Sequence, residues 1–271
     1  MSSSTLSAIV IAKNEAANLP DCLAALKFCS EVVLVVDHGS TDQTARIGQS
    51  FGARVILTDH WPGFGLQKQQ ALDAALSEWV LSIDADERVT PELAKEIYQA
   101  IQTERADGFY IKRRTQFLGK WMSHGGWYPD RVLRLARRSH AAFDPSPVHE
   151  KMMVKGRLAE LTHPLLHYSY RSIEDVLSKQ KSYALMGAEK KILSSRITNT
   201  EDDPPDSTNA RTKLTPGVGR ALFKSIWTFT RLFLFQLGFL DGRHGLIAAL
   251  AKSQETCWKY LATAWPGDRS R

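Results

Sequence analysis

Trp79-Val80-Leu81-Ser82-Ile83-Asp84-Ala85-Asp86-Glu87 is the stretch on which the fold turns. Its apolar, β-branched start predicts a buried strand. Residues two apart on a strand share a face, so Asp84 and Asp86 converge at its carboxyl end. Two carboxylates there repel one another unless positive charge lies between them. A hard divalent cation bridging to the phosphates of a substrate supplies that charge. The alternative is that Asp84 caps a helix and Asp86-Glu87 are solvated turn residues.

Upstream, Ser7–Ala12, Val32–Val36 and Arg54–Leu57 read as three more strands. Helical segments separate them. Asn14 is positioned to cap the first, which has Pro20 near its start and apolar residues at Leu19, Leu23 and Leu26. Thr41 or Asp42 caps the second, running to about Phe51, and Gln67–Leu76 is the third. Alternation of this kind predicts a parallel sheet covered by helices. Ligands of such sheets lie outside the carboxyl ends of the strands, where Asp37 and the Asp84/Asp86 pair both fall.

The 271 residues suffice for one sizeable core and an appendage. Cys22, Cys29 and Cys257 lack metal-ligand spacing and a disulfide pattern, which fits a reducing compartment. Met1-Ser2-Ser3-Ser4-Thr5 has neither a basic n-region nor an apolar h-region, so secretion is not expected. The formal charge of +6 points to an anionic partner. Without zinc-finger spacing or an RRM-type aromatic signature, no nucleic-acid partner is expected.

Pro91 to about Gln102 predicts a further helix, and 108–113 and 131–135 further strands. Between these strands lies a segment, 119–130, rich in glycine and aromatics. Ser172 to about Leu193 reads as helical, the polar 194–217 as a linker, and Arg220–Trp265 as helical and aromatic. A spanning helix needs about 20 predominantly apolar residues. Lys224, Arg231 and Asp241-Gly242-Arg243 interrupt the last segment. Phe223, Ile226, Trp227, Leu234 and Leu237 lie near one helical face, with Lys224 and Arg231 off it. That pattern fits a helix lying in a membrane interface, or one packed on its own domain.

A nicotinamide-binding fold would place G-x-G-x-x-G after the first strand. The chain has Ala12-Lys13-Asn14-Glu15-Ala16-Ala17-Asn18 there, which argues against a dinucleotide and against a P-loop. Instead Ile11-Ala12-Lys13-Asn14-Glu15, Val36-Asp37-His38-Gly39-Ser40-Thr41-Asp42 and Asp84-Ala85-Asp86, in that order at strand ends, resemble family 2 glycosyltransferases. The resemblance implies an α/β GT-A fold. Trp61–Gln69, Phe117–Trp121, His124–Asp130, Val148–Glu150, Pro164–Tyr170 and Leu237–Gly242 narrow it. Together they resemble bacterial lipopolysaccharide core glycosyltransferases of the WaaE/KdtX type, a group similar to β-1,4-glucosyltransferases that modify the inner-core heptose. The resemblance spans nearly the whole chain except 194–217. His38 departs from it, standing where the family carries an acidic or small residue, which leaves the recognised base open.

Carried over residue by residue, the resemblance implies that Asp37 accepts from the base or ribose of a nucleotide and that Glu15 lines the same pocket. Lys68 approaches the diphosphate. Asp84 faces the ribose or metal side, and Asp86 ligates Mg²⁺ or Mn²⁺ directly, with His149 a candidate further ligand. UDP-glucose is the donor the resemblance favours, with ADP-heptose open. For the base on the acceptor hydroxyl there are two candidates, Glu150 and Asp130, with Glu150 preferred. Trp121, Trp127 and Tyr128 either stack on acceptor sugars or form a satellite apolar cluster.

The implied domains are a transferase domain at 1–170, a helical extension at 171–193, a linker at 194–217 and a helical, aromatic and basic membrane-associating region at 218–271. The implied acceptor is a lipid A–core molecule, whose phosphates Lys224, Arg231 and Arg243 would meet at the inner membrane surface. The enzyme is therefore expected in the cytoplasm, peripheral on the inner face of the cytoplasmic membrane. Two other readings stay open: a polyprenyl-phosphate glycosyltransferase, and a non-catalytic nucleotide-sugar-binding scaffold.

Overall fold

The computed structural model describes residues 4–103, 105–144, 151–198 and 217–265, with backbone alone for 193–198. The chain forms two compact units: residues 1–115 with 129–168, and residues 116–128 with 169–271. The segment 116–128, expected within the transferase domain, thus groups with the C-terminal helices.

In the first unit, β1 (Leu6–Ala12), α1 (Leu19–Ala24), β2 (Glu31–Asp37), α2 (Thr44–Ser50), β3 (Arg54–Thr58), α3 (Phe64–Ala74) and β4 (Trp79–Asp84) follow the expected alternation. Strands β3-β2-β1-β4 are adjacent and parallel. Every residue of β1 is buried, as a strand covered on both faces requires. Successive residues serve opposite faces. Ala8, Val10, Leu34, Val36, Leu81 and Ile83 join one core with Leu19 and Leu23 of α1, whereas Ile9, Ile11, Val33, Val35 and Val80 join the other with Ala71 and Leu72 of α3.

Beyond β4 come β5 (Glu87–Arg88), α4 (Pro91–Ile101) and β6 (Gly108–Phe117). Helix α4 starts as its sequence dictates: the Thr90 side chain accepts from the Leu93 N–H at 3.2 Å and Pro91 fills the first turn. The hairpin strand β7 (Lys120–Trp121) precedes β8 (Asp130–Arg137), β9 (Ala141–Phe143), β10 (Met152–Val154), β11 (Leu158–Glu160) and β12 (Leu165–Tyr170). Strand β8 is antiparallel to both β4 and β6, so the parallel half continues into an antiparallel one that ends β8-β6-β12-β5.

In the second unit, α5 (Ile173–Thr198) runs through the first five residues of the expected linker, the rest of which, to 216, lies outside the described residues. The expected single helical face after residue 220 is broken. Helix α6 (Val218–Thr230) passes into a π-helical turn at Arg231–Phe235, Leu237 takes a left-handed φ of 59°, and a 3₁₀ turn at Gly238–Asp241 leads into α7 (Gly242–Ala264). The break permits a close approach: a Cβ on Gly245 would lie 1.8 Å from the Gly238 carbonyl oxygen. Helix α7 packs on both α5 and α6, and Ser225 and Ser253 hydrogen-bond across the α6–α7 contact at 2.9 Å. No helix among the described residues is long and apolar enough to cross a membrane.

Candidate active site

The carboxyl edge of β1 and β2 is a knot of two loops. Asn14, with φ of 56°, turns the chain after β1, a conformation asparagine tolerates better than most residues. Its side chain accepts from the Thr41 N–H at 2.7 Å, and the Ala16 N–H donates to Asp42 at 2.9 Å. Asn14 is therefore a loop tie rather than the expected helix cap; α1 begins five residues later, after Asn18. Glu15 sits in this knot, its N–H on the Thr44 hydroxyl at 2.8 Å and its carboxylate taking the Asn18 amide at 2.7 Å.

Asp37, at the end of β2, is 3 % exposed. Lys13 Nζ lies 2.8 Å from one of its oxygens, and the Gly39 N–H donates to the other at 2.6 Å. The Lys13 bond, with the Gly39 bond, holds the Asp37 carboxyl below the ordinary aspartate range. Asp37 is thus an ionised acceptor at the mouth of the β1–α1 and β2–α2 loops.

The acids after β4 take different environments. Asp84 receives Lys68 Nζ at 2.8 Å on one oxygen and Arg134 on the other. Glu87, fully buried, takes Arg134 at 2.7 Å and Arg113 at 3.3 Å on one oxygen, and the Asp84 N–H at 2.9 Å on the other. Asp130 accepts from Arg113 Nε at 2.9 Å and faces Nη2 at 2.7 Å. Three cations and three carboxylates therefore form one continuous neutral chain from α3 to the start of β8. Burial opposes the charge on Asp84, but Arg134 and Lys68 overcome it and hold the carboxyl well below the usual range. Burial likewise opposes the charge on Arg134, which Asp84 and Glu87 push upward in pKa.

Asp86 points elsewhere. Its carboxylate lies 3.3 Å from His167 Nε2, and the other ring nitrogen of His167 is bonded to the buried Thr115 hydroxyl at 3.0 Å. The turn is held from behind by buried Arg88, which donates to the carbonyls of Ala85, Glu87 and Asn18, each at 2.8 Å. A carboxylate beside an imidazole whose second nitrogen is anchored is a donor set that suits a divalent cation. Among the described residues no group of three or more His, Cys, Asp or Glu side chains is assembled for a metal. His149 and Glu150 lie outside the described residues.

In the second unit, Asp241 organises the glycine- and aromatic-rich loop. Its carboxylate accepts from the N–H groups of Ser123 and His124 at 3.1 and 2.8 Å, and Lys120 donates to its carbonyl at 2.7 Å. Trp127 packs against Phe117 and Tyr170, with centroids 5.4 and 5.6 Å away, in an apolar cluster that includes Met122, Val176 and Ala248. Trp121 lies on β7, and Tyr128 is partly buried.

The structure thus places Glu15 and Asp37 at one strand edge and Lys68, Asp84 and Asp130 in one charged chain. It adds Lys13, Arg113, Arg134, Thr115 and His167, for which the sequence reading assigned no role in the site. Arg134 was visible as a charge inside the apolar run Val132–Leu135, and His167 as the polar member of Leu165-Leu166-His167-Tyr168. Burial pushes the Cys22 and Cys29 thiols up to about 12, which keeps both out of nucleophilic chemistry.

The profile of Glycosyl transferase family 2 matches residues 7–148. The chain is 33% identical over 200 residues to the lipopolysaccharide core biosynthesis glycosyltransferase LpsC of Rhizobium meliloti (strain 1021), covering 70% of this chain and 73% of that protein. It is 27% identical over 266 residues to an uncharacterized glycosyltransferase of Rickettsia felis (strain ATCC VR-1525 / URRWXCal2), covering 90% and 84%. Among solved structures, S. aureus TarS 1-349 in complex with UDP aligns with a TM-score of 0.48 and 16% identity over 96% of this chain and 90% of that one. Asp37 and Asp84 end two of the parallel strands, and the chain belongs to glycosyl transferase family 2.

Proposed function

We propose that this glycosyltransferase is an inverting, cation-assisted enzyme that transfers glucose from UDP-glucose to the inner core of lipopolysaccharide at the cytoplasmic membrane face. The observation that carries the reading is the division of labour at one sheet edge: an ionised Asp37 cradled by Lys13 at the end of β2, and an Asp86–His167 pair just past the end of β4. The first suits a ribose or base that donates hydrogen bonds. The second suits Mg²⁺ or Mn²⁺. The name of the relative LpsC supports the acceptor class.

Asp86 and His167 would hold the cation, with Thr115 fixing the imidazole; bound there, the cation would neutralise charge on the departing nucleoside diphosphate. Lys68 and Arg134 keep Asp84 ionised and the β4 end rigid, so Asp86 faces its ligand on a preorganised turn. The acceptor hydroxyl attacks the anomeric carbon, the bond from that carbon to the diphosphate oxygen breaks, and the hydroxyl proton passes to a carboxylate, with inversion at carbon. Glu150 is the preferred base. Asp130 is the weaker candidate, since Arg113 Nε and Nη2 both hold one of its carboxylate oxygens.

Charge separates along the chain in support of a membrane-face enzyme. Residues 116–128 and 169–271 contain 17 Lys and Arg against 10 Asp and Glu, while the rest of the chain contains 18 against 19. Phe223, Ile226, Trp227 and Leu234 of the C-terminal helices are all exposed, together with Arg231, and Lys224 is half-buried among them. The test is transfer in vitro: full-length protein, UDP-glucose, Mn²⁺ and a heptose-terminated lipid A–core acceptor, with the product linkage read by NMR. A new β-glucosyl linkage is expected. Retention of the donor's α configuration, or hydrolysis alone, would refute the reading.

A further inference from the structure

Helices α5 and α7 leave an open groove of about 600 Å³ between them, lined by Leu177, Ala184, Leu185, Trp258, Leu261 and Trp265. Its size is that of a ligand site. Its chemistry excludes a sugar or nucleotide, whose polar groups would find almost nothing to bond: Gln180, Gln254 and Lys181 are the polar side chains among the lining residues, and Lys181 is the sole charge. Gln180 is committed to the Ala251 carbonyl, which ties α5 to α7. Leu177, Leu185, Trp258 and Trp265 are each about half exposed, so the groove presents an apolar wall rather than a closed core.

The ligand that matches an apolar slot with one cation beside it, on a unit whose sequence carries a formal +7, is an amphiphile with an acyl chain and an anionic head. We propose that the α5–α7 groove is a binding site for one acyl chain of an anionic membrane lipid, with Lys181 meeting the head group. The proposal rests on the membrane-face reading above and adds to it a defined slot. The small residues Ala184 and Ala262 leave room for the chain, and Trp258 and Trp265 supply the apolar bodies with polar N–H edges that favour a membrane interface.

The test uses full-length protein and phosphatidylcholine vesicles with and without phosphatidylglycerol, the phosphatidylglycerol carrying brominated acyl chains that quench tryptophan emission. Quenching of the wild-type protein is expected, and it should fall sharply in a Trp258→Phe/Trp265→Phe protein although five other tryptophans remain. Ala262→Phe, which fills the slot, should abolish that component. Lys181→Glu alters only an exposed side chain and should weaken binding to phosphatidylglycerol vesicles by about thirtyfold at low salt. Absence of quenching, quenching unchanged in the double tryptophan variant, or equal binding to pure phosphatidylcholine would overturn the proposal. A concentration-dependent dimer in sedimentation that Ala262→Phe dissolves would also overturn it, by making the occupant a second copy. UDP-glucose binding, measured on the same samples, separates this outcome from the donor-site reading. Loss of chain quenching with donor binding intact strikes the groove alone, and the converse strikes the transferase reading alone.

Discussion

Arg134→Met tests the charged chain that underlies the donor site. Wild type balances Lys68, Arg113 and Arg134 against Asp84, Glu87 and Asp130; the variant leaves one negative charge uncompensated in a buried place. Arg134 lies 2.7 Å from Glu87, which at an effective dielectric of 20 corresponds to a gross attraction of ~6 kcal/mol. Desolvation of the guanidinium offsets part of this, and Lys68 and Arg113 still hold their own partners. The measured cost of breaking a buried pair, 3–5 kcal/mol, therefore sets the expectation at about 4 kcal/mol. Urea unfolding at neutral pH, followed by tryptophan emission, should show that loss with little change in m. The loss also has a pH signature. The native Asp84 carboxyl is depressed, so its contribution is complete above the unfolded value of about 4 and disappears as pH falls toward the native one. Without Arg134 that contribution shrinks, so the gap between wild type and variant should narrow as the solution is acidified below about pH 4. Arg134→Met/Glu87→Met should recover part of the stability by removing the orphaned charge. A cost under about 1 kcal/mol at neutral pH, or a gap that widens in acid, would refute the assigned role of Arg134.

Asp86→Asn and His167→Ala should each keep the fold by circular dichroism yet lose the Mn²⁺ dependence of donor binding, whereas Thr115→Val should weaken Mn²⁺ binding by about tenfold or more, read by electron paramagnetic resonance. Glu150→Gln should leave donor affinity unchanged and slow transfer by ~10²–10⁴-fold; near-normal turnover would exclude it as the base and move attention to Asp130. Gly245→Ala should destabilise the C-terminal unit by about 2–3 kcal/mol despite alanine's better helix propensity, because the new methyl meets the Gly238 carbonyl; an unchanged melting temperature would show that α7 can shift away.

The parallel half of the sheet was legible because β1, β2 and β4 are apolar runs, the last two stopping at acids, a pattern with few alternative readings. The start of α1 was not. Asn14 has the side chain of a helix cap, but it is used across the fold, on Thr41, and a bond spanning 27 residues leaves no local trace. The partners of Asp84 were hidden for the same reason: the resemblance sends Lys68 toward a diphosphate, and its bond to Asp84 shows only once α3 is laid against the end of β4. Sequence fixed neither the break at Arg231–Phe235 nor its consequence. Arg-Leu-Phe-Leu-Phe is as compatible with continued α-helix as with the π-turn that separates Leu237 from the stripe begun at Phe223. His167 was within a motif quoted for its resemblance, yet its meaning depends on β12 lying antiparallel to β5, with His167 registered against Glu87 and its Nε2 3.3 Å from Asp86.

The central claim is that this sheet edge binds a nucleotide sugar with the help of a divalent cation held by Asp86. Isothermal titration of the full-length protein with UDP-glucose, with and without Mn²⁺, and in parallel with ADP-heptose, tests it most directly. The account predicts one-to-one binding of UDP-glucose that requires Mn²⁺ and is lost in Asp86→Asn. Binding that ignores both the metal and the substitution, or no binding of UDP-glucose by folded protein, would contradict it.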